Sequence, residues 1–481
     1  MQHNKDGEQK LFNLFGRFSL VCIFGVSTLF GGSFEDFKQS QSQSFKHYKD
    51  SRDGAFNAYL KQQWREYNAY VTPPMFTKPK PKSIVPLVQK KPPYVGPVVQ
   101  IRVPQTKKPH FIVLPKKRVK KDVNILFFGS KLGFDVDKRA FGKEFYPKNQ
   151  SGIANFFSFL AATHYQELLS EIKGYKRDMQ LNDWAVNLLV KKIAQKIYAQ
   201  SSEAKILQWF LLNKLGYDVK IGLTNSRVPI LLYATKEVVY ATPRYHFGLK
   251  NYYALAYYNK KGAMQVYTYD KKYPKATKSL EFALPQLPNL LYAPIDKEVK
   301  FRDYTKEYKI SYKLNKNLLD FMATYPQVDY RVYFNAPMEA NTYKALALEI
   351  KNYADGKKIT QGMDFVLHFV QKAFHYERDQ EQFGHEKVMF SEETLAYPAS
   401  DCEDRAILFA TLMKKFFGVG VVGVKYSDHM TTALYIPIAG DSVKVGQRRY
   451  VIADPTYINA NLGQSMPKYR SIMPESFIYV R

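Results

Sequence analysis

The chain has 481 residues, with 71 Lys or Arg against 43 Asp or Glu, and its formal net charge is +28. Hydrophobic residues make up 46% of it, so the chain can build large cores and global disorder is excluded. Its only cysteines are Cys22 and Cys402, which excludes a disulfide framework and a Cys-rich zinc site. Beyond the extreme N-terminus no run of 18 apolar residues occurs, which excludes a polytopic membrane protein.

The N-terminus has the pattern of an export signal. Basic residues precede an apolar stretch at 18–30, and small residues follow it. Thirteen residues suit a signal-peptide core and are short for a membrane span. We therefore expect residues 1–33 to be a signal peptide or membrane anchor, with membrane association through residues 11–33. The protein would be extracytoplasmic, either periplasmic or anchored facing the periplasm. The alternative is an apolar N-terminal helix of a cytoplasmic protein.

Two segments of distinct composition follow. Residues 34–71 carry aromatic side chains at roughly helical spacing, including Trp64 and Tyr67, and predict an amphipathic helical segment. Residues 72–118 interleave prolines with lysines and predict an extended, semi-rigid linker. Such a basic arm can bind a polyanion, but no nucleic-acid recognition motif accompanies the charge. We expect it to stay solvated or to hold a protein partner, and do not expect nucleic-acid binding.

The rest of the chain predicts two α+β domains, at 119–335 and 336–481. The predicted helices are at 151–173, 181–199, 341–354, 359–376 and 400–417. Short β-type runs fill 217–312, and further strands are predicted at 123–129, 419–426, 431–436 and 449–452. The stretch 377–400 is polar and predicts a loop that leads directly into the helix beginning near Cys402.

A weak internal repeat relates the two domains. Residues 201–223 and 402–424 both have a cap, a helix, a glycine and a β-rich segment. At this offset Ser201 is equivalent to Cys402, and Val228 is equivalent to His429. A degenerate copy of the same unit is one explanation, and chance similarity of two helix–strand pairs is the other.

Three residues suggest a nucleophilic site. Ser400 or Asp401 can cap the helix that follows, so Cys402 lies in its first turn, where free N–H groups can stabilise a thiolate or an oxyanion. The neighbouring acids oppose this effect, so a nearby imidazolium is needed. His429 begins one strand and Asp454 follows another, so antiparallel pairing can bring both beside the helix start.

Residues 402–456 resemble the catalytic core of the transglutaminase-like superfamily, and the resemblance extends back to about residue 340. The matching positions are Cys402 and Ala406, Gly418, Gly423-Val424, His429, and Asp454-Pro455-Thr456. The resemblance implies a papain-like α+β core with a cysteine-bearing helix on an antiparallel sheet. It also implies that Cys402 is the nucleophile, His429 the general base and acid, and Asp454 the orienting group. One departure is that Met430-Thr431 follows the histidine, where the family often has a small residue and then Trp.

Two further assignments are weaker. Tyr397 is a candidate for the side chain that stabilises the oxyanion. The alternative is that it only packs against its neighbours. His385 and Glu386, with nearby carboxylates, could form a metal site, but a solvated loop or cleft wall is favoured there. We expect no metal and no cofactor.

The expected function is an exported cysteine hydrolase that cleaves amide bonds of peptides or proteins through a thioester acyl-enzyme. An amine-accepting protein crosslinker would use the same triad, and sequence does not separate the two. A non-catalytic scaffold or binding protein is the third interpretation, since Ser201 and Val228 replace catalytic residues in the first copy of the repeat.

Overall fold

The structure is a computed structural model that describes residues 50–104, 121–257 and 264–481, together with Gln43. The chain divides into two units, Met1–Ser51 and Arg52–Arg481, and the architecture below is that of the second. The predicted signal segment lies outside the described residues, as do most of the predicted helical segment before residue 50 and residues 105–118 of the predicted linker. Within the described ranges, no helix combines the length and apolarity that a bilayer crossing needs.

The second unit has α+β structure, as predicted, with mostly antiparallel sheets. A first helix ends at residue 62. The α-helices after it in the described residues are Gln150–Ala161, Tyr165–Asp178, Asp183–Ile197, Ser201–Lys214, Lys316–Met322, Tyr330–Phe334, Ala340–Ala354, Ile359–Lys372, Asp379–Gln382, Ser391–Ala396 and Cys402–Phe417. Strands outside the two large sheets form the pairs Val123–Phe127 with Ser130–Phe134, Pro294–Asp303 with Lys306–Asn315, and His375–Tyr376 with Ala399–Ser400.

The same unit of topology occurs twice. In the first copy a helix is followed by the strands Val219–Leu223, Pro229–Ala234, Pro243–Phe247, Lys250–Tyr253 and Gln265–Tyr269. In the second copy a helix is followed by the strands Gly420–Lys425, Met430–Tyr435, Ser442–Val445, Arg448–Ala453 and Ser476–Tyr479. Numbered within each copy, the strands lie in the order fifth, first, second, fourth, third in both sheets. This shared order favours duplication over chance similarity.

The first sheet has seven strands because residues 64–71 supply both of its edges. Trp64–Asn68 pairs with Gln265–Tyr269 at one edge, and Tyr70–Val71 pairs with Pro243–Phe247 at the other, so the sheet closes on itself. The predicted helical segment 34–71 is therefore wrong at its end, since helix ends at residue 62. Aromatic and β-branched residues also fit a pleated surface, and long-range pairing here overrides helical spacing.

In the second copy, helix Cys402–Phe417 lies between helix Ile359–Lys372 and its own sheet. Its residues are buried on nearly all sides, which suits a helix packed against partners on opposite faces. The helix ends at Gly418, whose φ of 65° is the left-handed conformation that glycine adopts without strain. This packing fixes the N-terminus of the helix against the ends of the sheet strands.

Residues 73–104, here called the strap, correct the expectation of a solvated linker. They are extended, as their prolines dictate, but they lie against the second copy of the repeat. Main-chain hydrogen bonds join Lys78 to Ser427, Leu87 to Ile458 and Val99 to Lys357. Apolar strap residues are buried at both ends of this path: Met75, Phe76, Val99 and Ile101. The free energy gained from these contacts outweighs the favourable hydration that would keep a lysine-rich linker in solvent.

Gly222 and Gly423 occupy equivalent positions in the first strands of the two copies. A Cβ atom on Gly423 would lie 2.7 Å from the Phe334 ring, and one on Gly222 would lie 2.5 Å from Val266. We expect Gly423→Ala to lower the free energy of unfolding by about 1–3 kcal/mol through overpacking. Gly420→Ala, on the same strand with its nearest contact at 3.3 Å, should change it by no more than about 0.5 kcal/mol. Denaturant unfolding measures both, and equal effects would contradict this account of the strand.

Candidate active site

Cys402 is the first residue of its helix, as predicted, and Asp401 is the N-cap. The Asp401 N–H donates to the Asp404 carboxylate at 3.3 Å, which holds the turn that precedes the helix. Sequence dictates this arrangement, because acidic caps followed by an apolar run are a helix-start signal. The thiol is thereby placed at the end of the helix where backbone N–H groups are free of intrahelical partners.

His429 and Asp454 form a hydrogen-bonded pair, as their positions beside neighbouring strands predict. The strand register pairs Thr432 with Ala453, so Asp454 emerges beside the residues that precede Thr432. The His429 Nε2 atom lies 3.0 Å from Asp454 Oδ2. The other carboxylate oxygen, Oδ1, accepts hydrogen bonds from the backbone N–H groups of Thr456 and Tyr457. The Asp454-Pro455-Thr456 turn therefore fixes the carboxylate that orients the imidazole.

The remaining imidazole nitrogen is available for chemistry. His429 Nδ1 is buried and has no hydrogen-bond partner among the described residues. Tyr469 stacks on the imidazole at 4.8 Å between ring centroids. The pKa of Tyr469 is raised by burial, by Asp428 and, more weakly, by Cys402 and Asp454, so this ring lies near the thiol as well as the imidazole. A nitrogen that is held in place but unpartnered is what a proton acceptor for Cys402 requires.

The thiol itself is not an ion-paired thiolate in this structure. Cys402 has no exposed surface, and its Sγ donates to Glu403 Oε2 at 3.2 Å. Burial, with the charges of Glu403 and Asp401, raises the pKa of Cys402 well above its usual value. The expected stabilisation of a thiolate by the helix N-terminus is outweighed here by burial and by these two carboxylates, although one nearby cation partly offsets their effect.

That cation is Lys80, from the strap. Its ammonium lies 2.5 Å from Asp401, 2.6 Å from Glu403, 2.9 Å from Glu386 and 3.2 Å from Asp379. These four carboxylates are called the acidic cluster below. The Lys80 side chain is 2% exposed. Burial alone would lower the pKa of Lys80, but Asp401, Glu403 and Asp379 raise it well above its usual value, so the ammonium stays charged.

The predicted loop 377–400 is only partly a loop, and it is buried from Val388 to Leu395. It contains two short helices and contributes Asp379 and Glu386 to the acidic cluster, so the cleft-wall interpretation fits better than a solvated loop. Carboxylates of Asp379, Glu386 and Glu403 lie close enough together to share one cation. Lys80 already lies there. His385 is not part of this group, since its Nδ1 bonds the carbonyl of Phe383.

Arg405 and Gln371 connect the elements that carry Cys402 and Asp454. Arg405 is completely buried and donates to the carbonyls of Gln371, in the last turn of helix Ile359–Lys372, and Phe374, just beyond it. The Gln371 amide donates to the backbone carbonyl of Asp454 at 2.9 Å. This chain of bonds connects the helix that bears Cys402 to the turn that bears Asp454. Sequence alone did not identify these two residues, because the only local signal is a polar side chain on an otherwise apolar helix.

The two candidate tyrosines differ in their surroundings. Tyr397 packs against the Phe383 ring at 5.3 Å and lies beneath the Lys387 ammonium, which fits a packing role. Tyr330, which sequence reasoning missed, has a buried hydroxyl with no hydrogen-bond partner in the described part of the chain. Its pKa is raised by burial, by Glu403 and by Cys402, so it borders the same site. An unpartnered hydroxyl there can donate to an oxyanion.

The first copy of the repeat has none of these groups. Ser201 is the first residue of its helix, Val228 precedes its second strand, and Ala254 follows its fourth. These are the positions of Cys402, His429 and Asp454 in the second copy. The thiol, imidazole and carboxylate therefore occur together in one copy only.

Comparison with known proteins gave no match to a family model, a curated protein or a solved structure.

The Tyr330 hydroxyl gives a stability prediction. Removing a buried donor that has no partner should be neutral or favourable, so Tyr330→Phe should raise the free energy of unfolding by up to about 1 kcal/mol. Tyr333→Phe, on the same short helix, removes a hydroxyl that donates to Pro326 at 3.0 Å and should lower it by about 1 kcal/mol. Thermal and denaturant unfolding compare the two, and destabilisation by Tyr330→Phe would show that its hydroxyl is satisfied in solution.

Proposed function

We propose that this protein is a transglutaminase-like cysteine hydrolase that cleaves amide bonds of peptides or proteins. The observation that supports it most is the His429–Asp454 pair with its second imidazole nitrogen unpartnered, beside a helix that begins with a cysteine. Nucleophile, base and orienting group then come from one helix and two strand ends, in the chain order predicted from sequence. The papain-like description of the core, and export from the cytoplasm, belong to the same proposal and rest on the sequence.

The proposed reaction begins at the Cys402 thiol. His429 Nδ1 takes the proton of the Cys402 thiol, and the sulfur attacks the carbonyl carbon of the amide. The oxyanion accepts hydrogen bonds from free N–H groups at the helix N-terminus and from the Tyr330 hydroxyl. The imidazolium then protonates the departing amine as the C–N bond breaks, leaving a thioester. Water, deprotonated by His429, attacks the thioester and releases a carboxylic acid and the thiol. Asp454 keeps the imidazole in the required tautomer throughout.

Water is the preferred acceptor in this proposal. An amine must lose its proton before it can attack a thioester, and the acidic cluster beside Cys402 favours the protonated form of any amine bound in it. Amine transfer therefore remains the second candidate. The first copy of the repeat would serve as a structural or partner-binding module, since it lacks the three reacting groups.

The acyl-enzyme step can be tested on the full chain with p-nitrophenyl acetate, a small activated acyl donor. We expect acetylation of Cys402, located by mass spectrometry, and steady release of nitrophenolate. Cys402→Ala should abolish the adduct, and His429→Ala should slow release by at least about 100-fold, because general acid–base catalysis typically contributes that much.

His375→Ala is the matched control, because His375 is an exposed histidine of the same module. It should leave the rate unchanged. Added monodansylcadaverine distinguishes the two acceptors, and we expect it to capture only a minor share of the acyl groups. Equal rates in wild type and His429→Ala would contradict the proposal, and predominant amine capture would favour the crosslinker.

A further inference from the structure

The strap crosses the candidate active site between its two walls. The Lys78 N–H and the Thr77 hydroxyl both donate to the carbonyl of Ser427, two residues before His429. On the other side, the Tyr376 hydroxyl donates to the carbonyl of Pro81 at 2.7 Å. The segment 77–81 is thus extended and is held by main-chain and side-chain hydrogen bonds from both walls. This is how a cleft binds an extended peptide.

The thiol is closed off in this arrangement. Cys402 and His429 are fully buried and Asp454 is 1% exposed, so no substrate carbonyl can reach the sulfur without a movement. The strap is extended, has no regular secondary structure of its own, and is joined to the rest of the chain by separated hydrogen bonds. Such a segment has a lower free energy of local opening than the core helices.

Opening would leave the acidic cluster without its cation. Asp401 and Glu403 flank Cys402 directly, and both bond the Lys80 ammonium. Ionised carboxylates that are buried without the cation they bind are strongly unfavourable, and they also disfavour the thiolate beside them. When Lys80 leaves, the carboxyl groups must take up protons, the direction in which burial raises the pKa of Glu403 and Asp379, or bind another cation. A cationic substrate is the component that can supply this cation at that moment.

The cluster also has unused capacity for hydrogen bonds. Asp379 Oδ1, Asp401 Oδ1 and the Tyr330 hydroxyl are buried and have no partner in the described residues. Since an apolar replacement of similar volume is often as stable as a buried ion pair, stability alone does not account for four carboxylates around one lysine. Recognition of a ligand at the nucleophile would explain why four carboxylates lie beside Cys402.

We propose that the acidic cluster is a specificity pocket for the ammonium group of a lysine-like side chain in an extended peptide substrate, and that strap residues 77–81 occupy it as an internal pseudosubstrate. This proposal rests on the proposed function, because the bound peptide is a substrate only if the protein is a hydrolase. The bound ammonium is a recognition group and does not react. The chain is latent toward peptides while Lys80 is in the pocket, and small esters or thiol reagents reach Cys402 only when the strap opens locally. A cationic peptide substrate replaces both the strap and its charge.

Charged thiol reagents test the pocket on the full chain. Aminoethyl, ethyl and sulfonatoethyl methanethiosulfonates each transfer a thioalkyl group to the Cys402 thiolate, forming a disulfide and releasing methanesulfinate. Rates at the Cys402 peptide are read by mass spectrometry and divided by those of the denatured chain. In Lys80→Ala we expect the aminoethyl reagent to react at least about tenfold faster than the ethyl reagent, and the sulfonatoethyl reagent to be slowest. The overall charge of +28 works against this order, so the order reports the local pocket.

Wild type and Lys82→Ala should show no preference for the aminoethyl reagent, because the pocket is filled in both. Lys82 is an exposed strap lysine outside the segment 77–81, so its change removes the same charge without emptying the pocket. An unchanged rate order in Lys80→Ala would overturn the proposal. A preference that persists in Lys80→Ala/His429→Ala, combined with failure of the acetylation test, would keep the pocket and reject the hydrolase.

If Lys80→Ala folds poorly, the ammonium pocket can still be tested by adding back the missing group. n-Propylammonium reproduces the part of the side chain that this substitution removes. We expect it to raise the thermal midpoint of Lys80→Ala and to have no such effect on wild type, whereas n-propanol at the same concentration should raise neither. Equal responses to the cation and the alcohol would contradict an ammonium pocket.

Discussion

The contact on which the closed site depends is the Lys80 ammonium among four carboxylates beside Cys402. Two of those carboxylates belong to the residues on either side of the cysteine. Without a cation they would oppose the thiolate and one another, and the turn that begins helix Cys402–Phe417 would carry uncompensated buried charge. The strap supplies that cation. The position of this proline-rich segment therefore affects the protonation state of a thiol that is far away in sequence.

The two copies of the repeat share a fold but differ in the groups that they carry. Both copies of the repeat have the same helix and strand order, and a continuous apolar core runs through them. In the first copy the equivalent positions hold Ser201, Val228 and Ala254, and a strand from residues 64–71 closes the sheet. In the second copy, strap residues Ile84 and Leu87 pack on an apolar cluster that includes Val422 and Ile452 of the sheet. The first copy lacks the thiol, imidazole and carboxylate, and the second holds them buried beside the strap.

Sequence predicted the part of the site whose signals are local. The acidic cap before Cys402, the glycine that ends its helix, and strands ending beside His429 and Asp454 all lie within about 55 residues, and periodicity and capping locate each of them. It failed for Lys80, which pairs with Asp401 across 321 positions of sequence. The available signal was the excess of acids around Cys402, which requires a cation in addition to the histidine. It failed likewise at Trp64 and Tyr67, where pairing with a strand some 200 residues away decides the structure.

Hydrogen exchange of the strap amides tests the central claim most directly. The amides of Lys78 and Leu87 are bonded to Ser427 and Ile458, so both should be protected in wild type. If Lys80 holds the strap in the site, Lys80→Ala should remove protection at these two amides while helix Cys402–Phe417 and the amide of Val99 stay protected. Retained protection at Lys78 and Leu87 in a folded Lys80→Ala chain would show that the ammonium does not hold the strap, and would contradict the account.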